Sequence, residues 1–218
     1  MCGITGLLSL KMQYNIKELV FKMTSSLFHR GPDDEGVWFE GPIGLGHRRL
    51  SIVDLSYAGA QPMESSCKRF ILAYNGEIYN HIEMRYALEK EGGAPKWRGH
   101  SDTETLLAAI SHWGLEKALL RCHGMFALAL WNKEKKNLCL ARDRIGEKPL
   151  YWGWAGNDLI FGSELKALRL HPNFQSSICT GALSQYLRFK YIPAPRTIHP
   201  NIYKLEPGTI LSVDTLSP

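Results

Sequence analysis

The sequence lacks the features that mark membrane, fibrous or secreted proteins. Its longest uninterrupted apolar run, residues 125–131, is far shorter than the roughly 20 residues that a helix needs to cross a bilayer. Glycine (20) and proline (11) are close to average usage in 218 residues, which excludes collagen-like and low-complexity chains. The first lysine, Lys11, follows the initial apolar stretch instead of preceding it, so no secretory signal is predicted. We therefore expect a cytoplasmic protein with no membrane partner.

Cysteine is scarce and unpaired, and the common metal and phosphate motifs are missing. The five cysteines are widely scattered, and no C-x-x-C pair begins a zinc site or a redox motif. The sequence contains no H-E-x-x-H and no G-x-x-x-x-G-K-[ST] loop. The thiols are therefore expected to be mostly reduced, and no metal site is predicted.

Charge of one sign is not concentrated in any segment. The net charge is +5, but basic residues alternate with acidic ones, as in residues 133–136 and 142–144. Such interleaving is typical of a solvated surface, so no nucleic-acid partner is predicted. What the chain does have is 44% hydrophobic residues, enough for one sizeable core.

Short apolar or alternating segments bounded by Gly, Pro and Asn predict a protein rich in antiparallel strands. The predicted strands are residues 3–9, 36–39, 43–50, 70–74, 125–132, 138–142, 150–154, 159–162, 202–205 and 209–213. Helices are predicted along residues 16–27, after capping-box patterns at Asn80 and Ser101, and near residues 115–121, 164–170 and 181–189. Strands interrupted by blocks of helix, with few βαβ units, indicate a layered α+β fold.

Cys2 is the position that stands out chemically. The initiator Met is normally removable before a residue as small as Cys, which leaves a thiol and a free α-amine on one residue. An amine with an ordinary pKa of about 7.7–8.0 can accept the proton of a thiol near pH 7 without a separate histidine. The signal is weak alone, because Cys also occurs at position 2 without a function. The neighbours Cys122 and His123 carry little weight, since adjacent residues rarely act as nucleophile and base.

Six motifs resemble, in order, those of the glutaminase domain of glutamine-hydrolysing asparagine synthetases. They are CGITG (residues 2–6), HRGPDDEG (29–36), GHRRLSIVD (46–54), NGEIYNH (75–81), SDTE (101–104) and ARDRIGEKPLY (141–151). The resemblance covers most of the chain and implies a class II glutamine amidotransferase. It also implies an α+β fold, a four-layer αββα sandwich of the N-terminal nucleophile hydrolase type.

The same resemblance implies that Cys2 attacks the side-chain amide of glutamine. Asn75 and Gly76 match the family's pair of neutral donors for the oxyanion, an amide side chain and a backbone N–H. Taken alone, Asn-Gly is better explained as a hairpin turn. Because the apolar run 70–74 ends at this pair, both interpretations can hold.

Substrate-binding roles are implied for Arg49, Glu77, Asp102, Ile52 and Val53. Arg49 matches the cation for the α-carboxylate, since a planar guanidinium can donate two parallel hydrogen bonds. Glu77 and Asp102 match the acids for the α-ammonium. The backbone carbonyls of Ile52 and Val53 match further contacts, while their β-branched side chains are expected in the core. Without the resemblance, the first three would be explained as a strand-end surface residue, a loop acid and a helix N-terminal acid.

The expected domains are a glutaminase domain, residues 1–213, and the start of a linker, residues 214–218, to a C-terminal ATP-dependent synthetase domain. The family's Ser-Gly-Gly-x-Asp-Ser pyrophosphate loop is not matched by the single Gly-Gly pair, residues 92–93. No cofactor is therefore expected in this chain, and ATP and Mg are expected in the further domain. Glutamine and that domain are the expected partners, and a homodimer is left open. The loop of residues 29–36 is expected near the active site, with no chemical step assigned.

Three functions stay open at this point. The leading one is hydrolysis of glutamine to glutamate and ammonia for an asparagine-synthetase-type amidation, with another carboxylate, such as a sugar acid in cell-surface polysaccharide synthesis, as the alternative acceptor. The second is a related hydrolase that acts on another amide through Cys2. The third is a catalytically silent regulatory or dimerisation module, which has no physical need for the whole set of predicted site residues.

Overall fold

The computed structural model describes residues 1–11 and 14–215, which form two antiparallel sheets with flanking helices. The strands are β1 (Gly3–Ser9), β2 (Asp34–Glu40), β3 (Ile43–Arg49), β4 (Met63–Glu64), β5 (Phe70–Ile78), β6 (Gly124–Asn132), β7 (Asn137–Arg142), β8 (Tyr151–Ala155), β9 (Asp158–Gly162), β10 (Ile202–Lys204) and β11 (Ile210–Asp214). The helices are α1 (Ile16–Ser25), α2 (His81–Lys90), α3 (Asp102–Trp113), α4 (Leu115–Arg121), α5 (Leu165–Leu168) and α6 (Thr180–Phe189). The strand orders are β10-β8-β9-β1-β3-β2 and β11-β7-β6-β5-β4.

One hydrophobic core lies between the two sheets. Ile4 and Leu45 of the six-stranded sheet pack with Ile71, Ala73 and Leu140 of the five-stranded sheet. Helices cover the outer faces, so β1 and β3 are buried on both sides. Strands buried on both faces need apolar or small residues at nearly every position, which explains their continuous runs.

Each outer face carries its own helical layer. Helix α1 buries Leu19, Val20 and Met23 against the six-stranded sheet, beside α5. The close approach depends on glycine in β3, because a Cβ at Gly46 would lie 1.9 Å from Thr24 Oγ1. Helices α2, α3 and α4 cover the five-stranded sheet. The predicted α+β, four-layer αββα sandwich is therefore confirmed.

One of the two predicted capping boxes differs from the structure. At α3 the Ser101 hydroxyl accepts the N–H of Glu104 at 3.2 Å, as predicted. At α2 the Asn80 side chain makes no capping bond. It accepts the N–H of His123 at 2.8 Å and donates to the carbonyl of Arg121 at 3.0 Å instead. The amide of Asn80 thus ties α2 to the segment before β6, a long-range contact that the local pattern could not reveal.

The prediction for residues 70–74 was too short, and Asn75 and Gly76 do not form a hairpin turn. They lie inside β5, paired with Ala127 and Phe126 of β6. A Cβ at Gly76 would lie 2.3 Å from the carbonyl oxygen of Met125, so glycine is needed for close approach of the strands. The short strand β4 was not predicted.

Two further predictions concern membrane-spanning helices and the linker. No helix among residues 1–11 and 14–215 is long and apolar enough to cross a membrane. Of the predicted linker, Asp214 is the last residue of β11, and residues 216–218 lie outside the described residues.

Candidate active site

The residues predicted for the site meet in one cleft at the edge where the two sheets come together. Strand β1 runs antiparallel to β3, so Cys2, just before β1, lies beside the end of β3. The second half of β5 and the start of α3 form the opposite wall. The cleft is lined by all eight predicted residues: Cys2, Arg49, Ile52, Val53, Asn75, Gly76, Glu77 and Asp102.

Cys2 is held through its backbone and its sulfur. The N–H of Leu50 donates to Cys2 Sγ at 3.4 Å, and Sγ lies 3.6 Å from the Leu50 carbonyl oxygen. Arg30 Nε donates to the Cys2 carbonyl at 2.9 Å. Burial raises the pKa of the Cys2 thiol, an effect that the Leu50 N–H and the Arg49 charge partly offset. The thiol therefore needs a base to become a nucleophile near neutral pH.

The loop of residues 29–36 braces this wall of the cleft. Arg30 Nη1 donates to Glu164 Oε1 at 3.0 Å, and His29 Nε2 lies 2.9 Å from the same oxygen. Burial opposes the change, but hydrogen bonds from His29 and Arg30 lower the pKa of Glu164. Asp33 Oδ2 accepts the N–H of Ser51 at 2.8 Å. The loop that had no assigned step thus fixes the backbone of Cys2 and the chain that follows β3.

Asn75 carries a buried amide with no protein partner. The residue is 2% exposed, and its Nδ2 has no hydrogen-bond partner among the described residues. A buried donor without an acceptor is unfavourable by about 1–3 kcal/mol, so such groups are rare in native proteins. Because Asn75 lines the cleft, this donor is available to a ligand there.

The backbone N–H of Gly76 is directed to the same side of β5 as two neighbouring N–H groups. Tyr74 N–H donates to Gln61 Oε1 at 2.7 Å, and Ile78 N–H donates to Asp102 Oδ2 at 2.9 Å. In an antiparallel strand, alternate residues direct their N–H groups to the same edge, so Gly76 N–H faces this edge and not β6. Two neutral donors, from consecutive residues, therefore lie at the cleft.

Asp102 has two roles in the structure. It is the first residue of α3, and its Oδ1 accepts the N–H of Thr103 at 2.9 Å, as a helix N-terminal acid does. Its Oδ2 accepts the Tyr74 hydroxyl at 2.8 Å as well as Ile78 N–H. Burial, together with the Asp102 charge, raises the pKa of Tyr74 well above its ordinary value, so Tyr74 acts as a donor.

Arg49 is not the exposed strand-end residue that its position alone suggested. It is 8% exposed, and its guanidinium donates to the carbonyls of Asp54 and Ser56, the latter at 2.9 Å. A Cβ at Gly59 would lie 2.2 Å from Arg49 Nη2, so glycine makes room for this orientation. A hydrogen bond from the Ser56 side chain and one from the His100 N–H, opposed by burial, lower the pKa of Asp54 to about 2.

The expectation that the side chains of Ile52 and Val53 lie in the core was wrong. They are 68% and 41% exposed. Strand β3 ends at Arg49, and the chain leaves the sheet there, so these side chains have no layer to pack against. Glu77, by contrast, is a half-buried residue of β5 opposite Met125 and not a loop acid.

Three cleft or near-cleft residues were missed by the sequence analysis. Arg30 and Lys148 lie in motifs quoted above, but nothing in the local sequence distinguishes them from the other charged residues of those motifs. Gln61, whose side chain accepts Tyr74 N–H and donates to Thr103 Oγ1 at 3.3 Å, has no sequence signal.

The other nucleophile candidate is structural. Cys122 is fully buried among α2 and α4, and burial raises the pKa of its thiol to about 12. Its Sγ lies 3.1 Å from the carbonyl oxygen of Ala118. These features agree with the low weight given to this cysteine. Among residues 1–11 and 14–215, no group of three or more His, Cys, Asp or Glu side chains could hold a metal ion.

Comparisons with known sequences give one consistent result. A family model described as a glutamine amidotransferase domain matches residues 1–217. The chain is 38% identical over 216 residues to asparagine synthetase (glutamine-hydrolyzing) 1 of Bacillus subtilis, covering 98% of this chain and 33% of the relative. It is 37% identical over 228 residues to putative asparagine synthetase (glutamine-hydrolyzing) 2 of Methanocaldococcus jannaschii, covering 94% of this chain and 42% of the relative. The chain thus spans a third to two fifths of these relatives.

Comparison with solved structures addresses the fold. Glutamine phosphoribosylpyrophosphate amidotransferase of B. subtilis, solved with ADP and GMP, superimposes with a TM-score of 0.72 at 20% identity. The match covers 99% of this chain and 48% of that chain. At this identity the likeness concerns the fold alone, and it agrees with the predicted α+β sandwich.

Proposed function

This chain belongs to the glutamine amidotransferase domain family, and we propose that it hydrolyses glutamine to glutamate and ammonia with Cys2 as the nucleophile. The observation that carries the proposal is the buried, unpartnered amide of Asn75 in the cleft that Cys2 lines. A site that keeps a donor unsatisfied in the free protein offers it to a charge that develops during the reaction.

The first half of the reaction forms a thioester. After removal of Met1, the α-amine of Cys2 accepts the thiol proton, and the sulfur forms a bond to the side-chain amide carbon of glutamine. The amide oxygen becomes an oxyanion, and Asn75 Nδ2 and Gly76 N–H donate to it. The C–N bond then breaks, and the amine returns its proton to the departing nitrogen, which leaves as ammonia.

The second half releases glutamate. Water, deprotonated by the same α-amine, attacks the thioester carbon, and a second oxyanion forms in the same place. The C–S bond breaks, the sulfur recovers the proton, and the new carboxylate is that of glutamate. Each intermediate develops its charge next to the same two donors, so both steps use them.

Recognition of glutamine uses the charged groups around the cleft. Arg49 donates hydrogen bonds to the carbonyls of Asp54 and Ser56, and its remaining N–H groups can bind the α-carboxylate of glutamine. The oxygens of Asp102 already accept three donors, so Asp102 supplies mainly its charge to the α-ammonium, and Glu77 is the freer acceptor. The exposed side chains of Ile52 and Val53 leave their backbone as the part that can contact the substrate.

The names and lengths of the relatives support a proposal for the fate of the ammonia. Two relatives named as glutamine-hydrolysing asparagine synthetases are longer than this chain, which matches about a third to two fifths of each. We propose that residues 1–213, together with Asp214 at the end of β11, supply ammonia to a further C-terminal domain that activates aspartate with ATP and Mg in the cytoplasm. A sugar acid is the alternative acceptor.

The proposal is tested with protein from which Met1 has been removed. Ammonia is followed with glutamine, asparagine and a simple acyl amide as substrates, and glutamate is followed with glutamine, beside a Cys2→Ala control. Release of both products from glutamine alone, lost in the control, is the expected result. Equal turnover of all three amides would support the second hydrolase hypothesis, and no turnover in any condition would favour the silent module.

A further inference from the structure

The motif of residues 141–151 forms a built loop that carries a buried lysine into the cleft. Asp143 Oδ1 accepts the N–H groups of Ile145, Gly146 and Glu147 at 2.6–3.1 Å. Asp143 Oδ2 accepts the N–H of Lys148 at 3.1 Å. These bonds fix the backbone at Lys148, which is 6% exposed and lines the cleft with Cys2.

Arg142 holds the loop from its other side. Its guanidinium donates to the carbonyls of Gly146 at 2.6 Å, Lys148 at 2.7 Å and Leu205 at 2.7 Å. The guanidinium of Arg142 and the carboxylate of Asp143 thus hold one tight loop from two sides. So many fixed bonds around one short segment indicate that the position of Lys148 matters for the site.

Lys148 is a buried cation without an ion pair. Among the described residues it forms no salt bridge, and the one polar contact of its Nζ is Met1 Sδ at 3.5 Å, a weak acceptor. Buried lysines are normally paired with an acid. The contact places Nζ against the side chain of Met1, the residue that is attached to the nitrogen of Cys2.

Apart from Glu77, the other charged groups around Cys2 have hydrogen-bond partners within the protein. Arg30 donates to Glu164 and to the Cys2 carbonyl, and Arg49 donates to two loop carbonyls. The three acids that line the cleft are Asp54, Glu77 and Asp102. Asp54 accepts the His100 N–H at 2.9 Å, and Asp102 accepts three donors from its own wall.

We propose that Lys148 is a positioning residue for the N-terminal base: once Met1 is removed, its ammonium faces the α-amine of Cys2 and holds that amine in its neutral, proton-accepting form. This inference rests on the proposed function. An ordinary α-amine is mostly protonated at pH 7 and cannot act as a base in that form. A nearby cation disfavours the protonated amine, so a larger fraction of the amine is in its proton-accepting form near pH 7.

The test compares three lysine variants of the Met1-processed protein. Lys148→Met removes the charge, Lys148→Arg keeps it, and Lys117→Met removes an exposed charge on α4 as a matched control. In Lys148→Met, the pH midpoint of the acidic limb of the kcat/KM profile for glutamine is expected to rise by about one pH unit. Lys148→Arg and Lys117→Met should keep the wild-type limb. If Lys148→Met does not fold, Lys148→Gln carries the same prediction.

A second readout does not depend on turnover. In a Cys2→Ala background, the rate of acetylation of the N-terminal amine is followed against pH by intact mass, with and without Lys148→Met. The midpoint should rise when the lysine charge is lost. Unchanged midpoints, or an equal loss of kcat/KM at every pH, would overturn the inference. If the wild type releases no glutamate at any pH, the proposed function fails, while the acetylation midpoints still decide the role of Lys148.

Discussion

The two walls of the cleft differ in whether their polar groups have hydrogen-bond partners within the protein. On the nucleophile wall, formed by Cys2, Arg30 and Leu50, hydrogen bonds within the protein fix both the backbone and the sulfur of the nucleophile. On the oxyanion wall, formed by Asn75 and Gly76, the buried Nδ2 has no partner among the described residues. Under the proposed mechanism, the satisfied groups hold the reacting sulfur in place, whereas the unsatisfied donor binds charge that develops only during the reaction.

Loss of the nucleophile should have the largest effect. Cys2→Ala is expected to abolish glutamine hydrolysis and to leave the fold intact, since the half-buried side chain packs in neither helical layer. Cys2→Ser should keep little activity, because a hydroxyl is a far poorer nucleophile near neutral pH. Glutamate release and thermal melting check both. Full activity in a form that retains Met1 would contradict the attached-base mechanism.

Removal of the unsatisfied donor should come next. Asn75→Ala is expected to lower kcat by roughly 10²–10³ with little change in KM, because the donor acts mainly on the oxyanion. Asn137→Ala on β7, which removes an amide bonded to Ser212, is the matched control. Steady-state kinetics measure both. A change confined to KM would mean that Asn75 binds the substrate and does not hold the oxyanion.

Substrate-charge contacts should have a smaller and different effect. Arg49→Lys and Asp102→Asn are expected to raise KM for glutamine by about tenfold and to reduce its preference over amides that lack the α-carboxylate or α-amine. Arg188→Lys on the exposed helix α6 serves as the control. An equal loss of kcat for all amides would show that these residues maintain the cleft and do not select glutamine.

A change on the bracing side of the nucleophile wall should be milder. Glu164→Gln keeps the shape of the acid but loses the charge that faces Arg30. We expect a few-fold loss of kcat, because Arg30 still reaches the Cys2 carbonyl but is less firmly held. Glu18→Gln, which breaks an exposed pair with Lys22, should change nothing measurable. Identical kinetics in Glu164→Gln and Glu18→Gln would mean that Glu164 does not support catalysis through Arg30.

The smallest effect on activity is expected at His47, behind the cleft. Burial lowers the pKa of His47 to about 3, from an ordinary 6.5, so the folded protein keeps the ring neutral. Below about pH 6.5 the unfolded chain binds a proton at this histidine, and the folded chain does not until about pH 3. The free energy of unfolding should therefore decrease as the pH is lowered from about 6.5 to about 3, by up to about 1 kcal/mol per pH unit. His47→Gln should flatten this slope in denaturant titrations. An unchanged slope would contradict the assignment.

Most of the fold was accessible from the sequence because binary patterns record burial. The first strand and helix α4 were predicted with their observed bounds. The errors arose where long-range contacts override local signals: Asn75 and Gly76 sit inside a strand because β6 pairs along them. Ile52 is exposed although its residue type favours a core.

The site was accessible mainly through the resemblance of motifs and not through pattern. Residue type alone explained Arg49, Glu77 and Asp102 as ordinary structural groups. Arg30 owes its position to Glu164, more than a hundred residues away, and Nζ of Lys148 contacts Met1 at the other end of the chain; no local rule relates the members of these pairs. Such contacts exist only in the folded chain.

The most direct test of the nucleophile is the intact mass of the protein after incubation with a glutamine-like electrophile, followed by peptide mapping. The account predicts a single adduct on Cys2, in protein that has lost Met1, and no adduct in Cys2→Ala. Addition to Cys67, Cys122, Cys139 or Cys179, or equal labelling of protein that retains Met1, would contradict it.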